Sequence, residues 1–211
     1  MMKSKRLGVR LPSSTETDGF TSFDTSGAAL PAREDAGTDY FNHLSRTRRL
    51  FIFGELTGEV ARDIIDGALF LADEDPAKDI FVYLNTPGGE IDGAIAIFDI
   101  FQAIGPIVNT VVCGSALSAG ALVAISGAKG KRSITPNSTM MLHQLRWELG
   151  SKLKDMEIAM RELKRLNDAT EAIISATTNI PKKKIKAMLE YDYWMDAAAA
   201  IELGFVDRYY P

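Results

Sequence analysis

The chain has little of what several classes of protein require. Its one cysteine, Cys113, allows no internal disulfide, which is typical of a reducing compartment and predicts the cytoplasm, or an organelle stroma or matrix. No run of about 18 apolar residues occurs, so we expect no membrane-spanning helix. The basic residues near the N-terminus precede no apolar segment, and we therefore expect no secretory signal.

Charge and motifs exclude further classes. The net charge is −4 with both signs mixed, and the one basic cluster, residues 182–184, is typical of a solvated helix start, so we expect no nucleic-acid partner. The absence of a Gly-x-x-x-x-Gly-Lys-Ser/Thr run excludes a P-loop for ATP. No residues stand at metal-ligand spacing, and we expect neither a metal nor another cofactor. With only two histidines, a general base near neutral pH has to be His43 or His143.

The pattern along the chain predicts one domain behind an N-terminal arm. Residues 1–36 are rich in Ser, Thr, Gly, Asp and Glu without a helical or strand period, and we expect a flexible arm or leader there. In residues 37–211, apolar strands alternate with helices, which predicts an α/β fold with a largely parallel sheet. The active site of such a fold lies beyond the carboxyl ends of the strands.

The predicted elements follow from periodicity and from helix-capping residues. Strands are expected at 49–54, 79–86, 108–115, 138–144 and 205–210. The segment 79–86 is expected to be buried because of its composition. Helices are expected after an N-cap at Thr57, at 91–104, from near Ser118, at 152–177, after Pro181, and between Asp196 and Gly204.

Two serines stand where the third strand turns into a helix. Ser118 precedes Ala119 and Gly120, whose small size would let a substrate carbonyl approach the backbone. A free N–H of Ala119 at the helix start could stabilise an oxyanion. Ser115 lies closer to the strand and lacks that setting. Taken alone, however, a serine at this place is more often a helix N-cap.

Partners for a nucleophilic serine are available in other turns. The run Pro87-Gly88-Gly89 ends the second strand and permits a close approach of backbone to ligand, although such runs are usually simple turns. His143 ends an apolar strand, where a buried structural histidine is the alternative. Asp192 stands among aromatic residues in a segment that joins two helices, and spacing alone does not select it.

Three blocks of sequence resemble one family. The runs "YLNTPGGEIDGAIAIFDIFQAI", "CGSALSAGALVAISGAKGKRSITPNSTMMLHQ" and "MDAAAAIELGFVD" occur in the order found in ClpP, the proteolytic subunit of the ATP-dependent Clp protease. The resemblance runs from about Tyr40 to Asp207. It implies a ClpP/crotonase-like fold of repeated β-β-α units with a protruding handle helix.

The resemblance also implies a function and its residues. The family's serine, histidine and aspartate fall on Ser118, His143 and Asp192, and its oxyanion-hole N–H groups fall on Gly89 and Ala119. It implies a serine endopeptidase that forms rings of seven, stacked in pairs, and degrades unfolded polypeptides delivered by a separate AAA+ ATPase. Two alternatives stay open: a crotonase-like acyl-CoA enzyme, and a non-catalytic ring subunit of a mixed Clp assembly.

The sequence departs from the family at two places. The family usually has proline after its His-Gln step, whereas Leu145, Arg146 and Trp147 follow here. An Asp-Arg step usually precedes the catalytic aspartate, and Glu190 and Tyr191 stand there instead. These departures indicate a diverged member, of plasmid, organellar or phage type. Both places flank the expected contact between rings, so we expect the single ring to form more reliably than the ring pair.

Overall fold

The computed structural model describes residues 43–44, 46–145 and 153–211. The predicted arm at 1–36, the predicted domain start near Tyr40, and the departures at Arg146 and Trp147 lie outside the described residues. The elements are β1 (Arg49–Phe53), α1 (Gly58–Glu74), β2 (Ile80–Thr86), α2 (Ile91–Ala103), β3 (Val108–Leu117), α3 (Ala119–Ile125), β4 (Arg132–Ile134), β5 (Thr139–Leu142), α4 (Leu153–Thr177), α5 (Lys182–Met188), β6 (Tyr193–Asp196), α6 (Ala197–Glu202) and β7 (Arg208–Tyr209).

The strands form one mixed sheet in which parallel pairing dominates. Its main path is β1-β2-β3-β4-β7, and each neighbouring pair on this path is parallel. Beyond the pairing with β4, the last residues of β3 pair with β5 in parallel, and β5 pairs with β6 antiparallel. The predicted α/β fold with a largely parallel sheet is confirmed.

Helix α1 shows how local signals and tertiary packing combine. Thr57 caps it as predicted, because its side chain accepts a hydrogen bond of 3.3 Å from the N–H of Val60. The buried face consists of Ala61, Ile64, Ala68 and Leu71. Val60, next to Ala61, is only partly buried.

Strand β2 is buried on one face only. Ile80, Val82 and Leu84 are fully buried, whereas the residues between them are half-buried or exposed. On the opposite face, Tyr83 stacks on Phe51 of β1 with ring centroids 5.2 Å apart, and Phe51 is still 37% exposed. The strand itself is confirmed, and the expected burial holds for one of its two faces, since alternate residues of a strand point to opposite faces.

Two short strands were not predicted: β6, which contributes to the site, and β4, which carries a buried ion pair. Strand β6 lies in the segment that was expected merely to join two helices. Strand β4 places the buried Arg132 beside Asp207, near β7, at 2.6 Å. Arg132 also donates to the carbonyl of Thr177 at the end of α4, at 2.8 Å. One buried guanidinium thus ties β4 both to α4 and to the C-terminal segment.

The pKa of Asp207 is lowered on folding. Its partial burial alone would raise the pKa, but hydrogen bonds from the side chain and N–H of Arg132 and from the N–H of Gly130 outweigh that effect. The charged form of Asp207 therefore stabilises the native state.

The long helix α4 has the predicted extent but an uneven apolar stripe. In its C-terminal half, Leu166 and Ile174 are buried. Nearer its start, Ile158 and Met160 remain 59% and 56% exposed. The helix therefore packs against the core of the protein at its C-terminal end and leaves apolar side chains on the surface near its start.

Among the described residues, we find no helix that combines the length and apolar character needed to cross a membrane.

Candidate active site

Ser118 occupies a strained turn between β3 and α3. Its backbone has φ 53° and ψ −121°, a positive φ that residues with a Cβ rarely adopt. Its N–H donates to the carbonyl of Met141 at 2.8 Å, and its own carbonyl accepts from the N–H of Ala121 at 3.0 Å. The neighbouring strand and the first helical turn therefore hold the conformation on both sides.

The side chain of Ser118 does not cap the helix. Ser118 stands at the N-cap position, yet it makes no side-chain cap hydrogen bond. Its Oγ instead lies 2.7 Å from Nε2 of His143. The alternative that Ser118 is simply a helix N-cap is therefore not what the structure shows.

His143 reaches Ser118 because β5 runs parallel to the end of β3. Leu117 pairs with Met141, so the residues that follow the two strands emerge side by side. The imidazole is only 16% exposed, and Asp192 lies at its other nitrogen. Two residues that are 25 positions apart in the sequence thus share one strand-end edge, as expected for parallel strands.

Asp192 is brought to His143 by β6. Leu142 of β5 pairs with Tyr193 of β6, so the antiparallel register places Asp192 next to His143. The distance from Asp192 Oδ1 to His143 Nδ1 is 3.7 Å, and the carboxylate is 46% exposed. This strand was missed in the sequence, although its aromatic run Tyr193-Trp194 has the composition of a strand.

Gly88 and Gly89 line the approach to the serine. Leu56 donates to the carbonyl of Gly88, and the N–H of Glu90 donates to the carbonyl of Leu56, both at 2.8 Å. Leu56 thus bonds the residues on either side of Gly89 and forms an isolated parallel bridge with it.

The space above Ser118 is available only because Gly88 has no side chain. A Cβ on Gly88 would lie 2.9 Å from the Cβ of Ser118 and 3.1 Å from the N atom of Ala119. Ala119 is the first residue of α3, so its N–H has no acceptor within the helix. Of the predicted residues, Ser118, His143 and Asp192 lie in contact with one another, and Gly89 lines the same cleft.

The other candidates lie elsewhere. The hydroxyl of Ser115 donates to Oδ1 of Asn85 at 3.2 Å and to the carbonyl of Thr86 at 3.5 Å. His43 is exposed, and its carbonyl accepts a hydrogen bond from Thr47. The structure therefore pairs His143, and not His43, with a serine.

A cleft of about 710 Å³ opens over the Ser118–His143 pair. Carboxylates of Glu55, Glu90 and Asp92 join Asp192 in its wall. The full lining consists of Glu55, Pro87, Gly88, Gly89, Glu90, Ile91, Asp92, Ser118, Met141, His143, Leu145 and Asp192. The volume is in the range of ordinary ligand pockets.

The arrangement can perform acyl transfer. It offers a hydroxyl in contact with a base and a carboxylate behind the base. A protein-family model described as Clp protease matches residues 32–210 of the chain. The match covers the residues that form the cleft.

Proposed function

The chain belongs to the Clp protease family, which implies a serine-type peptidase, and on that premise we propose that it hydrolyses peptide bonds at the Ser118–His143–Asp192 site. Ser118 attacks the peptide carbonyl, and His143 accepts the hydroxyl proton through Nε2. His143 then protonates the leaving amine. A water molecule repeats these steps on the acyl-enzyme and releases the second product.

Asp192 orients the imidazole in this proposal. A carboxylate at Nδ1 fixes the tautomer that leaves Nε2 free to take the proton, and it stabilises the imidazolium that forms. The separation of 3.7 Å is longer than a hydrogen bond. Such contacts are often loose in an enzyme without substrate and tighten in the Michaelis complex.

Gly89 and Ala119 provide the oxyanion hole. Their N–H groups stabilise the negative charge on the tetrahedral intermediate, and loss of one such donor typically costs on the order of 100- to 1,000-fold in kcat. The position of Gly88 supports this, because a Cβ there would lie 3.1 Å from the N atom of Ala119. Neither the attack of Ser118 on the peptide nor the hydrolysis of the acyl-enzyme requires a metal or another cofactor.

The observation that carries this proposal is the contact of 2.7 Å between Ser118 Oγ and His143 Nε2. The hydroxyl is at the N-cap position, yet it turns to the histidine instead of to the helix N–H groups. The strained φ of Ser118 also supports the proposal, because strain of this kind concentrates at functional sites.

We extend the proposal to assembly, partners and compartment. The chain forms rings of seven, which pair through α4, and an AAA+ ATPase delivers unfolded polypeptides to the enclosed sites. The exposed Ile158 and Met160 on α4 support this, because apolar side chains on a helix surface are typical of an interaction site. The protein acts in the cytoplasm, or in an organelle stroma or matrix.

The experiment compares two serine variants in hydrolysis of short fluorogenic peptides. Ser118→Ala should abolish hydrolysis, whereas Ser115→Ala, the matched control three residues earlier, should retain most of it. Equal loss in both variants would contradict the assignment. Turnover of an acyl-CoA thioester without peptide hydrolysis would favour a crotonase-like enzyme, and an inactive wild type that restores a mixed ring would favour the non-catalytic subunit.

A further inference from the structure

The last residue of β2, Thr86, is fully buried between the two halves of the proposed oxyanion hole. Its Oγ1 accepts a hydrogen bond of 3.0 Å from the N–H of Gly88, and this bond is itself buried. The side chain therefore fixes the peptide between Pro87 and Gly88, which is one peptide before the N–H of Gly89, on one side of the site.

The methyl group of Thr86 fixes the other side. A Cβ on Gly120 would lie 2.5 Å from Cγ2 of Thr86, so the methyl group lies directly against the first turn of α3. Gly120 follows Ala119, the second proposed donor. The hydroxyl and the methyl group of one side chain thus contact the neighbours of both donors.

The geometry points to Thr86 as a positioning residue that sets the separation of the Gly89 and Ala119 N–H groups; this rests on the proposed function. Thr86 does not touch substrate, because the residue is completely buried. Its hydroxyl holds Gly88 in the left-handed conformation, φ 92°, and Gly88 in turn contacts Ser118 and Ala119.

Two substitutions separate the hydroxyl from the methyl group. Thr86→Val keeps the branched shape and removes the acceptor, which leaves the buried N–H of Gly88 without its partner. Thr86→Ser keeps the acceptor and removes the methyl group. We expect Thr86→Val to lower kcat by about 10- to 100-fold, somewhat less than the loss of a whole oxyanion donor, with KM within about twofold, as is typical of an interaction made only in the transition state. Thr86→Ser loses only the methyl contact with Gly120 and should lower kcat less than Thr86→Val does.

A second readout distinguishes positioning from a general loss of structure. Peptide aldehydes form a tetrahedral adduct with an active serine, and the adduct oxygen occupies the oxyanion hole. The inhibition constant of such an aldehyde should rise in Thr86→Val by the same factor by which kcat/KM falls. The corresponding peptide alcohol cannot form the adduct, and its affinity should stay unchanged.

Gly120 provides an independent check of the methyl contact. Gly120→Ala places a methyl group against Cγ2 of Thr86 and should lower kcat. Combined with Thr86→Ser, which removes the opposing methyl group, it should recover much of that loss. Such recovery is a coupling between residues in contact.

These experiments distinguish a failure of the inference about Thr86 from a failure of the proposed function. If the wild type cleaves peptides and Thr86→Val has wild-type kcat and aldehyde affinity, the inference about Thr86 is wrong while the proposed function stands. Loss of aldehyde and alcohol affinity by the same factor, or equal loss of kcat in Thr86→Ser, would also contradict it. A wild type that neither cleaves peptides nor binds the aldehyde would overturn both.

Discussion

Gly88→Ala tests whether the space above Ser118 has to be kept empty. The added Cβ would lie 2.9 Å from the Cβ of Ser118, 3.1 Å from the N atom of Ala119 and 2.5 Å from the carbonyl oxygen of Leu117. The substitution adds one methyl group and no charge. Its effect on activity therefore reports on the space between Gly88 and the Ser118 turn.

The expected loss of stability in Gly88→Ala has two separate causes, the strained backbone and the steric overlap. Gly88 has φ 92°, and a residue with a Cβ in this region costs about 1–2 kcal/mol. The overlap with Ser118 and its neighbours adds about 1–3 kcal/mol, as for other overpacked sites. Gly54 is a matched control, because it has φ 93° and nothing within 4 Å of its Cβ position. Gly54→Ala should therefore show the first penalty alone.

The assay measures both variants by urea unfolding and by peptide hydrolysis. Gly88→Ala should lose at least about 100-fold in kcat, because the Ala119 N–H is displaced or covered. Gly54→Ala should stay within about threefold of the wild type at a temperature where both variants are folded. If Gly88→Ala were as active as Gly54→Ala, the described approach to Ser118 would be wrong.

Three further predictions concern stability, assembly and energy use. Asp207→Asn leaves the buried charge of Arg132 uncompensated and should lower the free energy of unfolding by about 3–5 kcal/mol at pH 7. Because folding lowers the pKa of Asp207, the difference in unfolding free energy between wild type and variant is full above the ordinary pKa of 3.8. Measured by urea unfolding, this difference should shrink as the pH falls further. Light scattering should show a particle of at least seven chains. Met160→Glu, on the helix through which the rings are proposed to pair, should halve the mass of a ring pair. A stable monomer that cleaves peptides would contradict the proposed assembly. Because the chain has no P-loop, folded substrate should stay intact on gels when ATP is added to the chain alone.

Strand-end position made Ser118 and His143 candidates for the site, and the resemblance to ClpP assigned their roles. Ser118 and His143 directly follow two apolar segments, and parallel strands bring their carboxyl ends to one edge. The glycine pair and the small residues after Ser118 indicated a close backbone approach. These signals are local, and they do not depend on knowing which strands are neighbours.

The remaining features depend on long-range pairing. Asp192 could not be selected by spacing, since its place beside His143 follows from the antiparallel register of β5 and β6. Strand β4 is three residues long, too short for a period-2 pattern to be recognised. The position of Thr86 between Gly88 and Gly120 is likewise a tertiary contact, and nothing in its local sequence distinguishes it from an ordinary strand residue.

The most direct test of the central claim is covalent labelling with a fluorophosphonate, followed by mass spectrometry of the modified peptide. We predict a single modification on Ser118, abolished in Ser118→Ala, strongly slowed in His143→Ala and unaffected in Ser115→Ala. No labelling of the wild type, or labelling on Ser115, would contradict the account.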